Sequence, residues 1–228
     1  MQICGGRVSA LKTVRLTYEK KGGMRFCSHL DMTRFMARLI RRAKLPVWYT
    51  EGFNPHLYLT FALPLPLGFI STCEMTEIRI LDDSFDISSI PALLNSFCPE
   101  DIRFISCHEA VLKAGEIKSA DFTVTFDDAG ALTEPLGEFL QSGDITVIKK
   151  TKKGGEKPLS IGDRLRLISL GTNENGDTEL KINLPAGGEL NINPELVLSA
   201  FFESGKTDYY CYTVTRTAIL DKSGKDFK

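Results

Sequence analysis
Arg38 follows Arg34 by four residues, and Arg41 and Arg42 follow Arg38 by three and four. That spacing sets all four side chains on one side of an α-helix, in a row spanning roughly 12 Å. Guanidinium groups take phosphate oxygens two at a time, so such a row suits a phosphate-bearing partner. Two histidines flank it in sequence. His29 follows Ser28, a helix-capping residue type, and would sit beside free backbone N–H groups, an anion-friendly place where a cationic ring is disfavoured. His56 follows Gly52-Phe53-Asn54-Pro55, where the glycine and proline fix a turn. Two imidazoles near a basic helix could form a metal-independent acid/base pair for cleaving RNA. A plainer reading makes His29 part of the cap, His56 a partner of a nearby carbonyl, and the arginines a solvated face that also complements the helix dipole.

The elements that must position these residues can be read from periodicity. Residues 13–19 alternate as a half-buried strand, and Lys20-Lys21-Gly22-Gly23 is a turn. Ser28 and Asp31 form a capping-box-like pair, and Met32, Phe35, Met36, Leu39, Ile40 and Ala43 make one apolar helix face that should end near Leu45, before Pro46. Strands follow over 47–49, 57–61, 76–80 and 102–105, with a short helix over 89–97. After Lys113-Ala114-Gly115-Glu116 the order recurs. Strands are expected over 121–126, 145–149, 164–170, 179–184 and 209–220, with helices over 132–141 and 194–203 and an Asn-Gly hairpin between residues 173 and 177. This predicts an α+β chain of two ferredoxin-like β-α-β-β-α-β units, each with an additional strand and mostly antiparallel sheets, over residues 1–112 and 119–228.

Bulk composition narrows the function classes. The 228-residue chain has a net charge of −1, so it is no general polyanion coat. Charge is nevertheless uneven: residues 12–60 hold ten basic and three acidic side chains. That asymmetry points to an anionic partner. The six cysteines are scattered without a C-x-x-C pair, which with only three histidines argues against a metal site and for reduced thiols. The third histidine, His108, lies in no polar constellation. No run reaches membrane-spanning length, so no membrane partner and a cytoplasmic location are expected. Ser204-Gly205-Lys206-Thr207 mimics the end of a phosphate-binding loop, but Ala200 replaces its first glycine and a helix precedes it. The lysine-rich stretch 149–157 reads as a solvated hairpin.

Arg25-Phe26-Cys27-Ser28-His29-Leu30-Asp31, Arg38-Leu39-Ile40-Arg41-Arg42-Ala43-Lys44-Leu45-Pro46, Glu51-Gly52-Phe53-Asn54-Pro55-His56 and Phe61-Ala62-Leu63-Pro64-Leu65-Pro66-Leu67-Gly68 together resemble the radical SAM-linked protein family, an uncharacterised domain of unknown function 2344. The match is specific over about residues 13–80 and afterwards rests on element order and Arg216. The resemblance implies a bacterial accessory working with a radical SAM protein in trans, in a setting of RNA metabolism. The chain itself has no C-x-x-x-C-x-x-C motif, and no cofactor is expected. It is similar, more loosely, to repeat-associated RNA-processing proteins with paired ferredoxin-like domains, although Glu203-Ser204-Gly205-Lys206 supplies one glycine where those have a glycine-rich loop.

The resulting expectation is a non-catalytic accessory that contacts RNA, or an RNA-bearing partner, through Arg34, Arg38, Arg41 and Arg42. His29, Asp31, Gly52, Phe53, Asn54, Pro55 and His56 line the adjoining pocket. The alternatives are an endoribonuclease using His29 and His56, and a protein-docking module for a radical SAM enzyme.

Overall fold
The computed structural model describes residues 11–228 except 83, 144, 151–153, 206, 208 and 209. Among the described residues four α-helices and ten strands build a mixed α+β protein with mostly antiparallel pairing. The described residues divide into two compact units: residues 11–68 with 73–113 and 228, and residues 69–72 with 114–227.

The first unit runs β1 (Lys12–Lys20), α1 (His29–Arg42), β2 (Leu59–Phe61), β3 (Ile70–Ile80), α2 (Ile90–Asn95) and β4 (Ile102–Glu109). Its strands are ordered β4-β1-β3-β2. Val14, Leu16 and Tyr18 of β1 and Ile78 and Ile80 of β3 are buried against Met32, Met36, Leu39 and Ile40 of α1, as the two periodicities require. Among the described residues no helix is long and apolar enough to cross a membrane.

α1 ends earlier than the proline predicts. The last helical residue is Arg42, and Lys44 turns to φ +53°. Two hydrogen bonds close the end, from the Lys44 amide to the Arg41 carbonyl (3.1 Å) and from the Leu45 amide to the Ile40 carbonyl (3.4 Å). Leu45 and Ile40 are both buried there. This left-handed stop normally takes glycine. Pro46 merely follows it.

Of the strands expected over 47–49 and 57–61, joined by the Gly-Phe-Asn-Pro loop, only Leu59–Phe61 is a regular strand, while Val47, Tyr49 and Leu57 make isolated bridges. Val47 bridges Ile80, the Trp48 amide bonds the Arg79 carbonyl (2.9 Å), and Leu59 pairs with Ile78. The two stretches therefore pair with β3 one after the other, and the intervening residues leave the sheet as an excursion. β3 also starts six residues before the expected 76, because residues 70–75 contribute buried positions once paired.

The second unit runs β5 (Ile117–Phe126), α3 (Thr133–Gln141), β6 (Thr146–Lys150), β7 (Glu156–Ser160), β8 (Arg166–Thr172), β9 (Thr178–Pro185), α4 (Pro194–Glu203) and β10 (Tyr212–Asp221). β10, β5, β9 and β8 are neighbours in that order, while β6 and β7 pair separately. β7 escapes the sequence reading because Glu156-Lys157-Pro158-Leu159-Ser160 carries a proline and little apolar alternation. Its neighbours 151–153, within the lysine-rich stretch, lie outside the described residues, as do Lys206 and residue 209. Ile70 and Ser71 pair in parallel with Thr215 and Arg216 of β10. Arg216 is itself buried.

The turn before α3 is organised by one carboxylate. Asp128 accepts from the amides of Gly130 (3.1 Å), Leu132 (2.7 Å) and Thr178 (2.8 Å) and from the Thr178 hydroxyl (2.7 Å). Burial alone would raise its pKa, but bonds from the Thr178 amide and hydroxyl, then Leu132 and Gly130, hold it below the usual carboxylate value.

Two outcomes follow for stability. Lys44→Gly removes the Cβ penalty of the left-handed stop and should raise unfolding free energy by roughly 0.5–1 kcal/mol in a urea titration. Asp128→Ala should cost about 3 kcal/mol at neutral pH. Because the folded carboxyl is the stronger acid, its stabilisation is fully present above its unfolded pKa of about 4 and fades as pH falls through the lower folded value. The wild-type advantage over Asp128→Ala should therefore shrink steadily in urea titrations taken below pH 4.

Candidate nucleic-acid interface
Ser28 caps α1 through its hydroxyl oxygen, which accepts from the Asp31 amide at 3.2 Å. The reciprocal half differs from a full capping box. Asp31 accepts from the Ser28 hydroxyl at 2.7 Å, the shorter carboxylate stopping short of the cap amide. The other Asp31 oxygen lies 3.6 Å from the Arg34 guanidinium. Asp31 thus belongs to the cap and to the base of the arginine row.

All four arginines are exposed. Their engagements differ. Arg34 leans on Asp31, and the Arg42 guanidinium stands 5.1 Å from the centre of the Phe97 ring. Arg38 and Arg41 have no ion pair or hydrogen bond from their side chains among the described residues. Leu30, one turn before Arg34 on the same side, is exposed as well.

His29 is the first residue of α1, and its ring meets Phe61 edge-on, with centroids 4.9 Å apart. Beneath it lies a cavity of about 10 Å³, the size of a single water, lined by Tyr18, Lys20, Met32, Phe61, Leu65 and Glu74. Lys20 and Glu74 are 3% and 2% exposed. The Lys20 ammonium donates to the Cys27 carbonyl at 3.1 Å and so fastens the segment entering α1. Sequence reading missed this pair: Lys20 looks like turn residue, and only its parity with Val14 and Leu16 in β1 betrays that it faces inward.

Upstream, the Asp101 carboxylate accepts from the Gly23 and Met24 amides (2.7 and 3.4 Å), so tightly that a Cβ on Gly22 (φ +52°) would collide with it. Downstream, the Gly68 amide bonds the Arg25 carbonyl at 2.9 Å. Arg25 and Phe26 are held between these anchors, with the guanidinium 4.7 Å from the Phe26 ring centre. Phe26 remains 63% exposed, and Leu67 is exposed beside the Gly68 anchor.

The Gly52-Phe53-Asn54-Pro55 turn caps the excursion from the sheet. Its neck is closed by a Tyr49–Leu57 bridge and by the Tyr58 amide on the Trp48 carbonyl (3.3 Å). Arg79 reinforces the neck, lying 4.0 Å from the Tyr58 ring centre and 5.1 Å from that of Trp48. Near the tip, the Thr50 amide bonds the His56 carbonyl (2.8 Å) and the Thr50 hydroxyl accepts from the His56 amide (3.1 Å). His56 Nδ1 lies 2.9 Å from that hydroxyl and 3.2 Å from the Asn54 carbonyl. Gly52 adopts φ +120°, and Phe53 is fully exposed. No hydrogen bond joins His29 to His56 among the described residues; each is held by its own surroundings. No cluster of three or more His, Cys, Asp or Glu suited to a metal occurs among those residues.

Thr50→Val should leave global stability nearly unchanged while loosening the excursion. Losing about 1 kcal/mol of hydrogen bonding should speed amide exchange around residues 50–56 roughly fivefold.

The model of a family described as an uncharacterised protein conserved in bacteria (DUF2344) matches residues 13–194. No curated protein matches the chain. Among solved structures, one titled "Crystal structure of putative glycine cleavage system transcriptional repressor" aligns over 94% of this chain and 100% of its own, at 11% identity and a TM-score of 0.25. No argument rests on a similarity of that size.

Proposed function
We propose, from the premise that the chain belongs to the DUF2344 family of uncharacterised bacterial proteins, that its first unit binds RNA, or a partner bearing RNA, through the exposed arginine side of α1. The observation that carries this reading is the state of Arg38 and Arg41. Two neighbouring guanidinium groups project from one helix with no carboxylate engaged among the described residues, in a segment whose charge is strongly positive. A structural role would normally give such groups an acidic neighbour, as Asp31 serves Arg34. Phosphate oxygens satisfy the guanidinium geometry best.

The β-α-β-β-α-β order of the first unit, with strand order β4-β1-β3-β2, supports reading it as ferredoxin-like; β10-β5-β9-β8 supports the same for the second, with β6 and β7 as an addition. The role is that of a non-catalytic accessory in the cytosol, acting beside a radical SAM protein supplied in trans. His29 and His56 then line the surface and orient contacts. An endoribonuclease would need both imidazoles on one phosphodiester, and their separate tethers give that reading less support. A docking module that ignores RNA would need an acidic partner surface to meet the same guanidinium groups.

Binding of RNA should weaken linearly on a logarithmic salt scale. Arg38→Ala/Arg41→Ala should flatten that slope by roughly 1.4, the loss of two phosphate contacts to a single strand. Fluorescence anisotropy with labelled RNA between 50 and ~300 mM salt checks it. A slope identical to wild type would overturn the assignment.

A further inference from the structure
We infer that the RNA taken by this surface is single-stranded, and that Phe26 and Phe53 are the platforms on which its bases stack. This rests on the arginine reading above and names the form of nucleic acid that reading leaves open. A phenylalanine left in water forgoes roughly 1.5–3 kcal/mol of burial, yet two are exposed in this unit on backbone that is firmly held. Phe26 sits between the Asp101 anchor on Gly23 and Met24 and the Gly68–Arg25 bond. Phe53 tops an excursion whose neck is closed by Arg79, Trp48 and Tyr58.

The surroundings suit a base. Arg25 places a cation over the Phe26 ring, and Leu30, four residues on, and Leu67, next in sequence to the Gly68 anchor, are exposed apolar side chains as well. Leu30 also begins the line that continues through Arg34 and Arg38 along α1, so a strand with a base at Phe26 has phosphate ligands ahead of it. Base–aromatic stacking combined with a positively charged track is how proteins hold unpaired strands of mixed sequence. An RNA duplex keeps its bases stacked inside and shows mainly phosphates and 2′-hydroxyls, leaving both rings without a partner. A protein partner could also cover the rings, but its matching surface would have to be anionic beside apolar groups, and it would not distinguish single strand from duplex.

The test uses the full chain, a fluorescein-labelled unstructured RNA of about a dozen nucleotides and the corresponding duplex, a length within the range one such groove covers. Single strand should bind more tightly than duplex. Phe26→Ala and Phe53→Ala should each weaken single-strand binding by roughly 5- to 100-fold, leaving duplex affinity and the salt slope unchanged. Phe26→Trp should restore binding, with thermal unfolding confirming that every variant is folded. If both alanine variants bind the single strand like wild type while Arg38→Ala/Arg41→Ala still flattens the salt slope, stacking is wrong and the phosphate reading survives. If duplex binds as tightly as single strand, the assignment to unpaired RNA is overturned. If wild type binds neither RNA at low salt, both readings fall together.

Discussion
The surface of the first unit is governed by the rotation of one helix about its own axis. Met32, Met36, Leu39 and Ile40 are buried against Val14, Leu16 and Tyr18 of β1 and Ile78 and Ile80 of β3. Each such side chain contributes on the order of 2 kcal/mol, so together they fix the helix far more firmly than any surface ion pair could. At 100° per residue, Arg34, Arg38 and Arg41 fall on roughly the opposite side. Turning α1 enough to bury a guanidinium would carry a desolvation penalty as well as losing the apolar contacts. The direction of the arginines is therefore set by the methionines and leucine behind them. It would persist if all four arginines were replaced.

The same economy of causes holds at both ends of α1. At its start, Ser28 and Asp31 satisfy the cap, and buried Lys20 fastens Cys27 from below. Charged groups at this depth are expensive unless their polar atoms are met. Lys20 and Glu74 line one small cavity with His29, and the Lys20–Cys27 bond ties the helix entrance to β1. At its end, Lys44 accepts a strained backbone so that Leu45 can fold back on Ile40 and Val47 can reach β3. The excursion carrying Phe53 and His56 leaves the sheet just after that contact. Helix stop, strand entry and loop position are thus one linked piece of geometry.

How much of this was legible follows from the range of each signal. The limits of α1, its buried face and its exposed arginines depend on contacts within a few residues, and Ser28, Met32 and Arg38 declare them in sequence. α4 is equally plain, because Pro194 and Asn193 mark its start. The stop at Lys44 was hidden, since nothing in a lysine announces a left-handed backbone and Pro46 offered a simpler cause. Of the strands expected over 47–49 and 57–61 only Leu59–Phe61 forms, because Val47 and Leu59 look alike as strand residues and pairing with the distant Ile80 and Ile78 decides the outcome. Arg79 and Asp101 were missed for a related reason. Their roles depend on partners many residues away, and composition carries no trace of such pairings.

The electrostatic character of the surface follows from which arginines are already occupied. Arg34 shares its charge with Asp31, and Arg42 spreads part of its own over Phe97. Exposed pairs of that kind contribute about 0–1 kcal/mol and yield readily to a stronger anion. Arg38 and Arg41 surrender nothing when a phosphate arrives, because they have no partner among the described residues to give up. Like charges held side by side on one helix repel by a few tenths of a kcal/mol, a cost that an arriving anion converts into favourable contact. Binding should therefore begin at the centre of the row and spread toward Arg34 and the Arg25–Phe26 pair. Under the proposed function the charged track would make first contact and the held rings would take up bases afterwards.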